Sequence, residues 1–352
     1  MANYIVFLIH HFYIVYMNIL LTSVGRRTYM VEYFKSALKG IGKVYASNSV
    51  MTYSMEKADG WFVSPMIYDE SYIDGLINFC HTNNISAIIS LFDIDLPILA
   101  KHHTLFNEKG IRLIVSSERV TQICNDKWET FQFLKKMSLL QPKTYISIEI
   151  AINEIHNKYL SFPLILKPRW GMGSIGIYEV EDLEELTIFY KKLKKKIFET
   201  YLKYESNADI EHCILIQEKI HGQEFGLDVF NDLTGSLATV VAKRKIAMRA
   251  GETDIAEIVE NNIFFDIAET ISKNLRHIAN LDIDVFLLPN NDISVLEMNC
   301  RFGGQYPFSH LAGVDFPKQI IKWLLNEDTD KNLITPTIGV ISCKDLVPVR
   351  MN

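Results

Sequence analysis

Near the end of the chain, three oxygen-bearing side chains sit at spacings that suit a hard metal ion. The segment Asp282–Arg301 reads DIDVFLLPNNDISVLEMNCR, two apolar runs flanking Pro289-Asn290-Asn291-Asp292. Asn-Asn suits the positive φ angles of a tight hairpin turn. A turn centred on Asn290–Asn291 sets Asp284 directly opposite Glu297, and strand alternation brings Asn299 to the same face. Two carboxylates and an amide oxygen on one face form an oxygen-rich site suited to Mg2+. With no cation between them, the carboxylates would repel each other across the ladder. Arg301 projects from the same face toward whatever anion the metal carries. The competing reading is a polar, solvated hairpin face, because the register is inferred.

A second chemical stretch lies upstream. Leu164–Ile177, LILKPRWGMGSIGI, runs an apolar strand into Lys167 and Pro168 and then places Gly171, Gly173 and Gly176 close together. Proline ends the strand because it lacks an N–H and fixes φ. The glycines leave backbone N–H groups free to wrap a phosphate, with the Lys167 charge beside them. Taken alone, the stretch reads equally well as a β-hairpin with a glycine-rich turn.

Something must position these groups, and the rest of the chain reads as alternating strands and helices. Ile19–Thr22, Lys43–Ala46, Ala87–Leu91 and Arg112–Val115 have strand character, and Tyr29–Leu38, Tyr72–His81 and Leu96–Asn107 have helical spacing. Strands separated by helices imply a parallel, Rossmann-like sheet. Asn125 or Asp126 is placed to cap a helix with Trp128, Phe131, Leu134 and Met137 on its apolar face. A strand-rich region follows with one charged helix over about Asp182–Tyr201, then a helix over about Phe264–Ala279, the hairpin, and a last helix over about Phe316–Leu325.

The 352 residues suffice for two or three domains, and the hydrophobic fraction of 48% is ordinary for a globular protein. A net charge of −6 argues against nucleic-acid partners and anionic membranes. Five scattered cysteines with no C-x-x-C suggest reduced thiols in the cytoplasm. Residues 1–25 lack Asp, Glu, Lys and Arg, which by length and polarity suits a membrane helix or signal. The absence of a positive leading region, the pair His10-His11, and the strand–turn–helix opening at Met17 oppose that reading. Residues 1–16 are expected to be an extension from a start placed too early, with a membrane anchor as the alternative.

Taken together, LEMNCR and LILKPRWGMGSIGI resemble the ATP-grasp superfamily, particularly the carbamoyl-phosphate-synthase-like ATP-grasp ligases. The likeness runs from Met17 to about Leu325, with several motifs in the right order. It implies an α/β chain: an extension at 1–16, a Rossmann-like domain at 17–118, and a two-lobed α+β ATP-grasp domain at 119–326. A mobile small lobe is expected at about 160–217 and a C-terminal tail at 327–352.

The resemblance assigns Lys127 and Lys167 to the nucleotide, and Gly171, Gly173, Ser174 and Gly176 to a mobile phosphate loop. In QEKIHGQEF it sets Glu218 and the backbone of Lys219 and Ile220 at the adenine, and Glu224 at the ribose. Glu297 and Asn299 match the metal pair, Asp284 a further ligand, and Arg301 the phosphate arginine. Cys300 departs from the usual proline or small residue at its position.

The implied activity is an ATP- and Mg2+-dependent carboxylate–amine ligation through an acyl phosphate, with Mn2+ as an alternative ion. The partners are a small-molecule acid and an amine, and a homodimer stays open. Among residues outside the nucleotide motifs, Arg249 is expected to anchor a substrate carboxylate. The loops Ser23–Arg27, Asp93–Asp95 and Arg301–His310 are further candidates. No Ser-His-Asp or Cys-His arrangement offers a nucleophile. A small-molecule kinase and a non-catalytic ATP-binding module are the rivals.

Overall fold

The apolar runs at the start of the chain form a parallel sheet in the computed structural model, which describes residues 16–173 and 175–351. Its strands are β1 (Asn18–Thr22), β2 (Val44–Asn48), β3 (Gly60–Val63), β4 (Ile85–Ser90) and β5 (Arg112–Ile114), in the order β3-β2-β1-β4-β5. Every residue of β1 is buried, as a central parallel strand covered on both faces requires. The order reverses between β1 and β4, which opens a crevice at their carboxyl ends. Most of the expected extension, and Ser174, lie outside the described residues.

A four-stranded antiparallel sheet follows: β6 (Thr144–Tyr145), β7 (Leu164–Pro168), β8 (Tyr178–Val180) and β9 (Ile214–Glu218), in the order β6-β9-β7-β8. It packs on the helix Leu183–Phe198 around a hydrophobic cluster of its own that includes Leu166, Leu193, Ile197 and Ile216. The third sheet holds β10 (Gln223–Asn231), β11 (Leu237–Arg249), β12 (Glu252–Val259), β13 (Ala279–Leu287), β14 (Ile293–Asn299) and β15 (Ile341–Cys343). Its order is β14-β13-β10-β11-β12-β15, antiparallel throughout.

The first and third sheets share their cores. On one side Leu20 and Ile88 belong with Leu227, Leu281 and Met298; on the other, Ile19 and Leu21 belong with Phe230 and Phe316. Among the described residues no helix is long and apolar enough to cross a membrane.

Several elements differ from their sequence reading. The helix expected over Leu96–Asn107 is two, Asp95–Lys101 and His103–Glu108, broken at His102 with φ −106° and ψ 15°. His102 turns its ring to the Ile98 carbonyl at 2.8 Å, and His103 reaches the Val115 carbonyl at 2.8 Å. The helix over Phe265–Leu275 stops early because Arg276 turns left-handed at φ 54°, so that Ala279 opens β13. β3 and the helix Glu118–Asn125 were not foreseen.

Candidate active site

The hairpin register holds where it matters. Asp284 pairs with Glu297 and Asp282 with Asn299. Nearer the turn the register slips by one at a bulge, where Val285 pairs with Val295 and leaves Leu296 extra. The turn is therefore centred on Asn290, and the bulge restores the expected pair. Val295, Met298 and Cys300 go into the core, while Glu297, Asn299 and Arg301 line a cavity of about 850 Å3.

Cations surround this face. Lys245 of β11 lies 2.5 Å from Glu224 and 2.7 Å from Asp284. Gln305 donates to Asp282 at 2.6 Å and to Asp284 at 3.0 Å. It lies over Gly226, where a Cβ would fall 1.7 Å from its Oε1, so no larger residue fits beneath it. Burial would raise the Glu297 carboxyl, but Lys127, Lys167, Lys245 and Arg301 more than offset it and hold it below its ordinary value. The expected repulsion is thus answered by positive charge on several sides. Burial and the neighbouring Asp284 push Asp282 up to about 6, against the pull of Arg301.

Arg301 reaches across to the first domain. Its Nε and Nη2 donate to Asp93 at 3.0 and 2.8 Å, and Nη1 lies 3.4 Å from Asp282. Burial opposes its charge, yet Asp93 and Asp282 keep the guanidinium above its usual value.

A second cavity, of about 480 Å3, opens between β7, β9 and the third sheet. The Asp126 carboxylate caps the helix Lys127–Lys136 and forms a double ion pair with Arg169 at 2.7–2.9 Å. That junction fixes Lys127, whose ammonium donates to the Gly171 carbonyl. Lys167 ends β7 buried, and desolvation pulls its ammonium down to about 8, with Lys127 adding to the effect and Glu297 opposing it. Gly171 has φ +131°, and a Cβ there would come within 2.8 Å of Leu202, so this turn requires glycine.

Lys127, Lys167, Gly171 and Gly173 line this cavity, together with Glu218, Lys219, Ile220 and Glu224. Gly176 packs toward Leu193 outside the lining. Met172, Gly173, Lys245, Asp284 and Glu297 line both cavities, so the two adjoin at the carboxylate face. Arg249 is not brought there: it stands at the β11–β12 turn, 59% exposed, with Asp254 at 3.0 Å. Sequence reasoning gave Asp282 and Lys245 no role, and it named Gln305 only as part of the candidate loop Arg301–His310. Lys245 sits two residues from Lys243 on β11, a strand-alternation signal that could have marked it.

Comparison with known proteins matches the same two parts of the chain. Residues 19–114 match the model of the PylC-like N-terminal domain, and residues 160–307 that of an ATP-grasp domain. The carbamoyl phosphate synthase large chain of Thermoanaerobacter sp. is 22% identical over 301 residues, covering 82% of this chain and 26% of its own length. The chain thus spans about a quarter of that relative. An L-amino acid ligase from Bacillus licheniformis superposes with a TM-score of 0.72 at 17% identity, over 95% of this chain and 81% of that one. Biotin carboxylase from Campylobacter jejuni gives 0.71 at 17% identity, over 93% and 75%. These structural likenesses concern the fold. By these two matches and their order, the chain carries a PylC-like N-terminal domain ahead of an ATP-grasp domain.

Proposed function

We propose that the protein is an ATP- and Mg2+-dependent carboxylate–amine ligase that activates a small-molecule acid as its acyl phosphate. The observation that carries this reading is the meeting of the two cavities at Asp284 and Glu297. ATP in the smaller cavity would direct its terminal phosphate toward an acid held in the larger. Lys127 and Lys167 neutralise phosphate charge. Glu218 and the Lys219–Ile220 backbone face the base, and Glu224 faces the ribose.

The donor set fits Mg2+. Among the described residues no three His, Cys, Asp or Glu side chains form a self-sufficient metal cluster. Mg2+ ordinarily takes only one or two carboxylates and completes its shell with phosphates and water. Glu297 lines both cavities and accepts no hydrogen bond from a described side chain, which leaves its oxygens available. Asp284, Glu297 and Asn299 would hold the ion, which when bound neutralises phosphate oxygens; Mn2+ suits the same oxygens. Phosphoryl transfer is mainly positioning and charge stabilisation, so no side-chain nucleophile is needed. The glycine loop over the cavity excludes water from a hydrolysable intermediate.

Hydroxylamine tests the reading. In a screen of amino acids and sugar acids with Mg2+ and ATP, an acid that releases ADP should yield hydroxamate in step with it. Lys167→Ala should lose both signals. A stable phosphorylated product that hydroxylamine does not convert would favour a kinase. ADP release independent of any acid would remove the ligase assignment.

A further inference from the structure

The larger cavity is lined by two chemically different groups. One is the carboxylate face. The other is the loop Ser23–Arg27, which leaves β1 at the point where the strand order of the first sheet reverses. In open α/β sheets that crevice is where ligands bind. The loop is held against the end of β2, by Val24 N–H donating to the Ser47 carbonyl at 3.2 Å and Gly25 N–H to Asn48 Oδ1 at 3.3 Å.

Arg27 lines the cavity from this loop. Its guanidinium donates to the Leu91 carbonyl, and no carboxylate of a described residue lies within ion-pair distance of it. Neighbouring acids are engaged elsewhere: Asp93 with Arg301 at 2.8 Å, and Glu252 with Lys344 at 3.1 Å. A guanidinium only donates, in a planar fork that matches a carboxylate or phosphate. Burial and the positive charge of Arg301 lower its pKa, the direction expected for a cation short of a counter-charge.

We propose that Arg27 binds a second anionic group of the acid, so that the substrate carries one carboxylate for activation at the Asp284–Glu297 face and another carboxylate or a phosphate at the first domain. This rests on the ligase reading for the role of the first carboxylate. The anion site itself stands on Arg27, its loop and the cavity. A neutral or cationic substrate end would leave the guanidinium without a counter-charge in a partly buried place, which is costly.

Calorimetric titrations of the full chain test the proposal. Succinate and butyrate compare a second carboxylate with none, and 3-phosphoglycerate and glycerate compare a phosphate with none. At least one doubly anionic probe should bind wild type about tenfold more tightly than its counterpart, the size of one charge-assisted contact. Arg27→Gln should lose that difference, and Arg27→Lys should recover part of it. Melting curves of both variants verify that they fold. The carboxylate and phosphate arms tell which anion is preferred. Equal binding of paired probes to wild type, or a preference that persists in Arg27→Gln, would overturn the proposal. Binding of a non-hydrolysable ATP analogue with Mg2+ is measured separately. Its failure would count against the ATP reading and leave the anion comparison intact.

Discussion

Glu297 is where the local charges decide the most. Facing Asp284 across the ladder, it looks like a source of strain that glutamine would relieve. The four surrounding cations reverse that expectation, because they hold its carboxyl below the ordinary value despite burial. A carboxyl whose folded pKa is depressed contributes stability above its unfolded pKa, and that contribution is lost as pH falls through the folded value. Glu297→Gln should therefore lower the melting temperature of the ligand-free protein at pH 7, and the deficit should shrink in acid. Turnover should fall by roughly 10²–10³-fold, as for a lost transition-state stabiliser. An unchanged or higher melting temperature at neutral pH would show that the cations do not act on Glu297 as argued.

Between the elements, the turn from the helix Phe265–Leu275 into β13 rests on a buried polar network. The His277 ring lies 3.0 Å from the Val229 carbonyl, Asn231 donates to the His277 carbonyl at 2.9 Å, and Ser272 donates to Asn231 at 2.7 Å. Burial holds the His277 pKa down at about 4, against a weaker pull from the Val229 carbonyl. The unfolded chain then binds the extra proton first. Stability is full above about pH 6.5 and falls toward pH 4, by about 3 kcal/mol if this group acts alone. Denaturant midpoints across that range should show a shallower pH slope in His277→Gln than in wild type. Parallel slopes would place the acid sensitivity elsewhere.

The legibility of the elements follows the same physics. β1 and β4 announced themselves because central parallel strands are buried apolar runs. β3 did not, since four residues alternating between half-buried and exposed carry little signal. The hairpin pair was legible from turn chemistry, although a bulge that no pattern announced makes the register work. The pairings of Lys245 and Gln305 were not legible, because their partners Glu224, Asp282 and Asp284 are 21 or more residues away in sequence on other strands.

Across the whole molecule, the first and third sheets share cores, while the four-stranded sheet has its own. Asp93 and Arg301, 208 residues apart in sequence, tie the first domain to the carboxylate face. Asp93→Ala should leave nucleotide binding near wild type and lower thermal stability by on the order of 1–3 kcal/mol, because Arg301 keeps only its weaker partner Asp282. Unaltered stability would mean that the pair does not join the domains.

In the proposed reaction the two adjoining cavities pass a phosphoryl group from ATP to a carboxylate. With an acid that supports hydroxamate formation, labelling both carboxylate oxygens with ¹⁸O and supplying the amine tests this at the reacting atom. Each inorganic phosphate released should carry one labelled oxygen, because the acyl phosphate breaks between carbon and the oxygen that came from the acid. Phosphate released without label would contradict it.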